Sequence, residues 1–208
     1  MKRITLVMGA VWLSAAVAGA ASDEWLNTWK NPEAAPLNFA GRKVAAVVIT
    51  DDDSLRVSAE EALAREVSAR GAEAVPAYRI IPKEEVRKPK SAQGWFERAG
   101  VQGLVVLRPV NVETDKVYSS FVWASGYYAS PWNYWDYGWG SVAPIGKGRD
   151  QRTLTVETLL YDLSKNAPIW AGANRTTDPK DVQTYMKLLA IDVVTQLEKE
   201  GLVRKGPR

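Results

Sequence analysis

The stretch from Tyr118 to Trp139 limits what this chain can become. It reads YSSFVWASGYYASPWNYWDYGW, and ten of its 22 residues are Tyr, Trp or Phe, half of the 20 aromatics in the 208-residue chain. Between Val117 and Gly146 the one charged side chain is Asp136. Burying a large apolar side chain stabilises a fold by roughly 1.5–3 kcal/mol. Ten solvated aromatics would forgo on the order of 15 kcal/mol, as much as a whole domain is worth. The stretch must therefore pack. It folds over a sheet as a flap, or it presents a surface to a partner, to a second copy, to sugar rings or to a membrane interface. The candidate binding residues are Tyr127, Tyr128, Trp132, Tyr134, Trp135, Tyr137 and Trp139. Lys and Arg are absent from the stretch, which leaves only weak membrane contact.

Either side of this stretch the chain alternates between helical and strand signals. Lys43 to Thr50 is a short Val/Ile-rich run, apolar on both faces, and reads as a buried strand. A helix follows, capped at Asp53 or Ser54, or later by Ser58 with Glu61, and stopped by Gly71. Residues 72–78 form a second strand, with Pro76 placing it at an edge or a bulge. Ser91 caps a short helix to Ala99, and Val101 to Val110 is a third strand. Val112 to Trp123 reads as a fourth. Arg152 to Asp162 alternates Leu154, Val156, Thr158 and Leu160 against Thr153, Thr155 and Glu157. It pairs through a turn at Asn166 with residues 167–174 in a hairpin. Asp178 with Pro179 starts a C-terminal helix that ends at Gly201.

The predicted fold is α/β, with α+β as the variant: a single mixed sheet of about six strands, helices mainly on one face. One globular domain spans 41–203, with the aromatic and Gly-rich insertion at about 124–148. Residues 21–40 form an N-terminal arm whose Trp25 and Trp29, four apart, suit one helix face. Residues 204–208 form a basic tail. As an insertion, residues 124–146 should be removable without loss of the fold.

The first 20 residues read as an export signal: Lys2 and Arg3, an uncharged apolar run, then Ala18-Gly19-Ala20. Cleavage near Ala20 gives a periplasmic or secreted protein. It removes two bases and no acid, so the net charge of +3 becomes +1. A near-neutral chain has no field to gather nucleic acid. There is no Cys and no His, which excludes disulfides, thiolate sites and Ser-His-Asp or Cys-His chemistry. No catalytic residue and no cofactor are assigned.

The best carboxylate cluster is Asp51-Asp52-Asp53, after the first buried strand, where α/β folds bind ligands. It is the metal-binding or enzymatic alternative, against a solvated turn in which one Asp caps the helix. The opening KVAAVVITDDDSLR resembles a receiver domain, but Arg108 stands near the place of the phosphoacceptor Asp. Glu60 and Glu61 are expected on an exposed helix face, and Glu157 on a solvent face of its strand.

Tyr161-Asp162, Trp170-Ala171-Gly172 and the long helix after them resemble the C-terminal half of an uncharacterised family of bacterial envelope lipoproteins. AEEALAREVSARGAEAV and Gly103-Leu104-Val105-Val106 are similar to its N-terminal unit. The resemblance covers most of 40–202 and implies this fold and an envelope location, without an activity. Val17-Ala18-Gly19-Ala20 carries Ala where a lipobox has its lipidated Cys. The expected partner is an envelope protein or a second copy, with a glycan as the further alternative.

Overall fold

The structure is a computed structural model that describes residues 24–34, 38–110, 119–143, 153–177 and 181–204. The export signal, most of the strand predicted over 112–123, the Gly-rich segment from 144, Asp178 with Pro179, and the tail beyond Arg204 lie outside the described residues.

Among the described residues six strands form one sheet: β1 (Glu24–Lys30), β2 (Lys43–Val48), β3 (Glu73–Pro76), β4 (Gly103–Val110), β5 (Thr153–Asp162) and β6 (Ala167–Thr177), in the order β1-β6-β5-β4-β2-β3. β3, β2 and β4 are parallel; β4, β5, β6 and β1 are antiparallel. The fold is α/β, with the predicted number of strands.

The helices are α1 (Asp53–Ser68), α2 (Pro89–Arg98), the short α3 (Ser120–Trp123), α4 (Pro131–Gly140) and α5 (Val182–Lys199). The long α1 and α5 share one face. Leu63 and Val67 of α1 and Met186, Leu189 and Val193 of α5 meet Val105, Leu107, Val156 and Leu160 of the sheet there. The ends of the two helices are tied by Gln183 to Ser54 and by Arg70 to Glu198. The other face packs Val47, Val106, Leu159 and Tyr161 against α2 and the aromatic segment.

Several expectations are corrected. The sixth strand is the N-terminal arm, whose residues 24–30 pair with β6. Trp25 and Trp29 do not share a face: the register shifts between Trp25 and Asn27, and Trp25 packs on one core cluster while Trp29 packs on the other. Residues 120–123, at the end of the predicted fourth strand, are helical. Asp52 caps α1 by accepting from Leu55 N at 3.0 Å. Asp181 caps α5, accepting from Gln183 N and Thr184 N. Helix α2 starts at Pro89 rather than Ser91, with Pro at its first position.

Glu60 is also corrected, being 1% exposed. Strand β3 stops at Pro76 and the chain turns into a 3-10 segment, so Val48 N and Tyr78 N lose their ladder partners. The Glu60 carboxylate accepts from both, at 3.1 and 2.8 Å. Burial pushes its carboxyl up to about 7, against those bonds and Arg56.

Candidate functional site

The aromatic segment is a folded layer rather than a loop. Pro131 at the first position of α4 presets the helical φ, and the spacing of Tyr134, Trp135, Gly138 and Trp139 turns them toward the sheet. Gly138 makes the close approach possible, because a Cβ there would lie 2.7 Å from Ile49 Cδ1 and 3.4 Å from Arg108 Cδ. Trp123, Tyr128, Tyr134, Trp135 and Trp139 are all buried. Trp135 donates its indole N–H to Val86 O at 2.7 Å and sets its ring edge-on to Phe96.

Beneath this layer lies a polar centre that sequence reasoning missed. Arg108 of β4 and Glu157 of β5 are direct cross-strand neighbours. Both are buried, with Arg108 Nη1 3.0 Å from Glu157 Oε2. Glu157 therefore does not face solvent as expected; the aromatic layer covers that face of β5. Tyr128 donates to its Oε1 at 2.6 Å and Tyr134 to its Oε2 at 3.0 Å. The second Arg108 amine donates to Ser141 O and Oγ, at 3.1 and 2.7 Å, and the guanidinium lies 4.7 Å from the Tyr137 ring centroid. Tyr161 donates to Tyr128 O at 2.9 Å. Burial first, and then the charge of Glu157, pushes the hydroxyls of Tyr128, Tyr134 and Tyr161 well above the usual tyrosine range, so they stay donors. A buried acid and base, each hydrogen-bonded by groups of the aromatic layer, fix that layer's register on the sheet.

The seven predicted aromatic residues thus divide. Tyr128, Tyr134, Trp135 and Trp139 face inward and contribute packing and anchoring. Tyr127, Trp132 and Tyr137 are half-buried and reach the surface. Tyr127 and Tyr137 stack with ring centroids 3.6 Å apart and planes 19° from parallel. Trp132 lies against Phe96 and Trp135, at centroid distances of 6.5 and 6.4 Å.

Asp51, Asp52 and Asp53 stand at the carboxyl end of β2. α1 and α2 leave that region on opposite faces, so this is the switch point of the parallel half. A cavity of about 120 Å³ there is lined by Thr50, Asp51, Asp53, Arg56, Lys83 and Arg87, with Trp139 at its wall. The acids do not converge. Asp52 is the helix cap, Asp51 pairs with Arg87, and Asp53 pairs with Lys83 and lies 3.8 Å from Arg56. The hydrogen bond from Lys83 holds the Asp53 carboxyl below its usual range. Among the described residues no group of three or more acids gathers to hold a metal ion. No described helix is long and apolar enough to cross a membrane.

A second, larger groove of about 450 Å³ opens at the other end of the parallel strands, between Trp132, α2 and the β5–β6 turn.

No family model and no curated protein matches the chain. Among the solved structures similar to it are two of one assembly. One is the PelC dodecamer from Paraburkholderia phytofirmans, with a TM-score of 0.44 and 13% identity over 89% of this chain and 99% of that one. The other is a point variant of that dodecamer, with a TM-score of 0.43 and 14% identity over 89% of this chain and 100% of that one.

Proposed function

We propose that this chain is an exported bacterial envelope protein that works by binding rather than catalysis, associating with itself or with an envelope partner through the outer side of the aromatic layer. The observation that carries this reading is the division of that layer. Its inner side is held by the Arg108–Glu157 centre, while the Tyr127–Tyr137 stack and Trp132 stay partly open to solvent. Aromatic rings held rigid at a surface lose little side-chain entropy on binding, which is why Tyr and Trp dominate contact hot spots. Lys2, Arg3 and the small residues before Ala21 support export, and the absence of His and Cys supports a non-enzymatic role.

Sedimentation velocity on the chain lacking residues 1–20 tests the contact. The wild type forms oligomers as concentration rises, and the Tyr127→Ser/Tyr137→Ser variant stays monomeric while its far-ultraviolet circular dichroism remains that of the folded chain. A wild type that is monomeric throughout overturns self-association, and the same double variant in a pull-down of envelope extract then tests the partner arm. Retention of the expressed protein in carbonate-washed membranes contradicts the exported, unanchored state.

A further inference from the structure

The groove beside Trp132 is lined by neither Tyr127 nor Tyr137, and its chemistry is specific. Its volume of about 450 Å³ falls within the roughly 300–1,000 Å³ of small-ligand clefts. Trp132 supplies an aromatic wall, packed against Phe96 and Trp135. The remaining polar lining is Arg42, Gln93, Glu97, Gln102 and Ser164. Arg and Glu occur once each, so the lining carries no net charge.

Two of these polar groups are bonded to each other. Gln93 Nε2 donates to Glu97 Oε1 at 2.8 Å, which orients the amide and the carboxylate together on one turn of α2. The backbone of Gln102 bonds to Lys43 O at 2.8 Å and accepts from Leu163 N at 3.0 Å, fixing the rim on which its side chain stands. The Arg42 guanidinium lies 5.9 Å from the Phe39 ring centroid. Amide, carboxylate and guanidinium groups each offer two adjacent hydrogen-bonding positions in one plane. Adjacent hydroxyls on a ring are the ligand groups that match such pairs, because each hydroxyl both donates and accepts. A flat apolar face beside planar polar pairs suits the C–H face and hydroxyl edge of a pyranose. A phosphorylated ligand would call for surplus positive charge, which this lining lacks.

We propose that this groove is a binding site for a neutral sugar, one or two pyranose rings of an uncharged glycan, stacked on Trp132 and held by Gln93, Glu97 and Gln102. The site does not depend on self-association at Tyr127 and Tyr137.

Isothermal titration of the chain lacking residues 1–20 with cellobiose, maltose and chitobiose, with adenosine as a stacking control, tests the site. At least one disaccharide binds saturably, and Gln102→Ala and Trp132→Ala each weaken it ten-fold or more. Gln102 is exposed, so its variant reads recognition without disturbing the core, and Tyr127→Ser/Tyr137→Ser leaves the affinity unchanged. Binding of adenosine without any of the sugars, heat from none of the sugars, or sugar binding indifferent to Gln102→Ala and Trp132→Ala overturns the proposal.

Discussion

Replacing Glu157 by Ala probes the polar centre most sharply. The substitution leaves the Arg108 guanidinium, 3% exposed, without its carboxylate. It also orphans the Tyr128 and Tyr134 hydroxyls, which sit 2.6 and 3.0 Å from the Glu157 oxygens. Breaking one side of a buried ion pair costs about 3–5 kcal/mol. A buried hydroxyl without an acceptor costs about 1–3 kcal/mol more. Some of this is relieved by water entering the space, so the expected loss is about 4–8 kcal/mol. That is comparable to the whole stability of many domains. Urea unfolding followed by far-ultraviolet circular dichroism measures it. The matched double variant Arg108→Met/Glu157→Leu removes both charges and should lose much less than the two single changes added together, because the orphaned charge is what costs most. A Glu157→Ala loss below about 1 kcal/mol, the value of a surface pair, refutes the reasoning. Additive single and double variants refute it equally.

Glu60 predicts a pH dependence. Its carboxyl is raised from 4.5 to about 7 in the fold, chiefly by burial. Below pH 4.5 both folded and unfolded chains hold the proton. Between 4.5 and about 7 the folded chain holds it while the unfolded chain releases it, so stability falls as pH rises through this window. The shift corresponds to roughly 3 kcal/mol. Urea midpoints at several pH values should show that decline in the wild type and a flatter curve in Glu60→Gln; parallel curves contradict it. Gly103 packs so closely on Phe39 that a Cβ would lie 2.3 Å from Cε1 of that fully buried ring. Gly103→Ala should therefore lower stability by about 1–3 kcal/mol through overpacking, read as a drop in melting temperature.

Strands whose own residues declare burial were legible in the sequence. β2 and β4 are Val-rich runs that the parallel half buries on both sides, and β5 showed alternation with β6 as its hairpin partner beyond a turn at Asn166, which indeed takes a φ of +50°. The glycine stop after α1 was equally local, with Gly71 at a φ of +88°. What failed was information supplied by distant parts of the chain. The alternation of β5 assigned its two faces correctly, yet Glu157 read as solvent-facing because nothing near it announces the cover that arrives from residues 128–141. β1 was hidden because a spacing of four fits a helix as well as a strand, and the register shift then sends the two tryptophans to opposite faces. Glu60 read as exposed because two adjacent carboxylates, Glu60 and Glu61, on a helix are most simply solvated; its role follows from the early stop of β3 at Pro76. For the site, the energetic argument that the aromatics must pack held. It could not separate the inward residues Tyr134 and Trp135 from the outward Trp132 and Tyr137, since that division needs the helical phase of α4. The expectation that 124–146 could be removed without harm is reversed, because the segment supplies five buried aromatic side chains when Trp123 at its edge is included.

Amide hydrogen exchange across α4 tests most directly whether the aromatic segment is a layer of the core. The amides in the second half of Pro131–Gly140, which make intrahelical bonds above the Arg108–Glu157 centre, should exchange only through global unfolding, with protection equal to that of β5. Exchange at loop-like rates, or an opening free energy well below that of β5, would show a detachable flap and contradict the account.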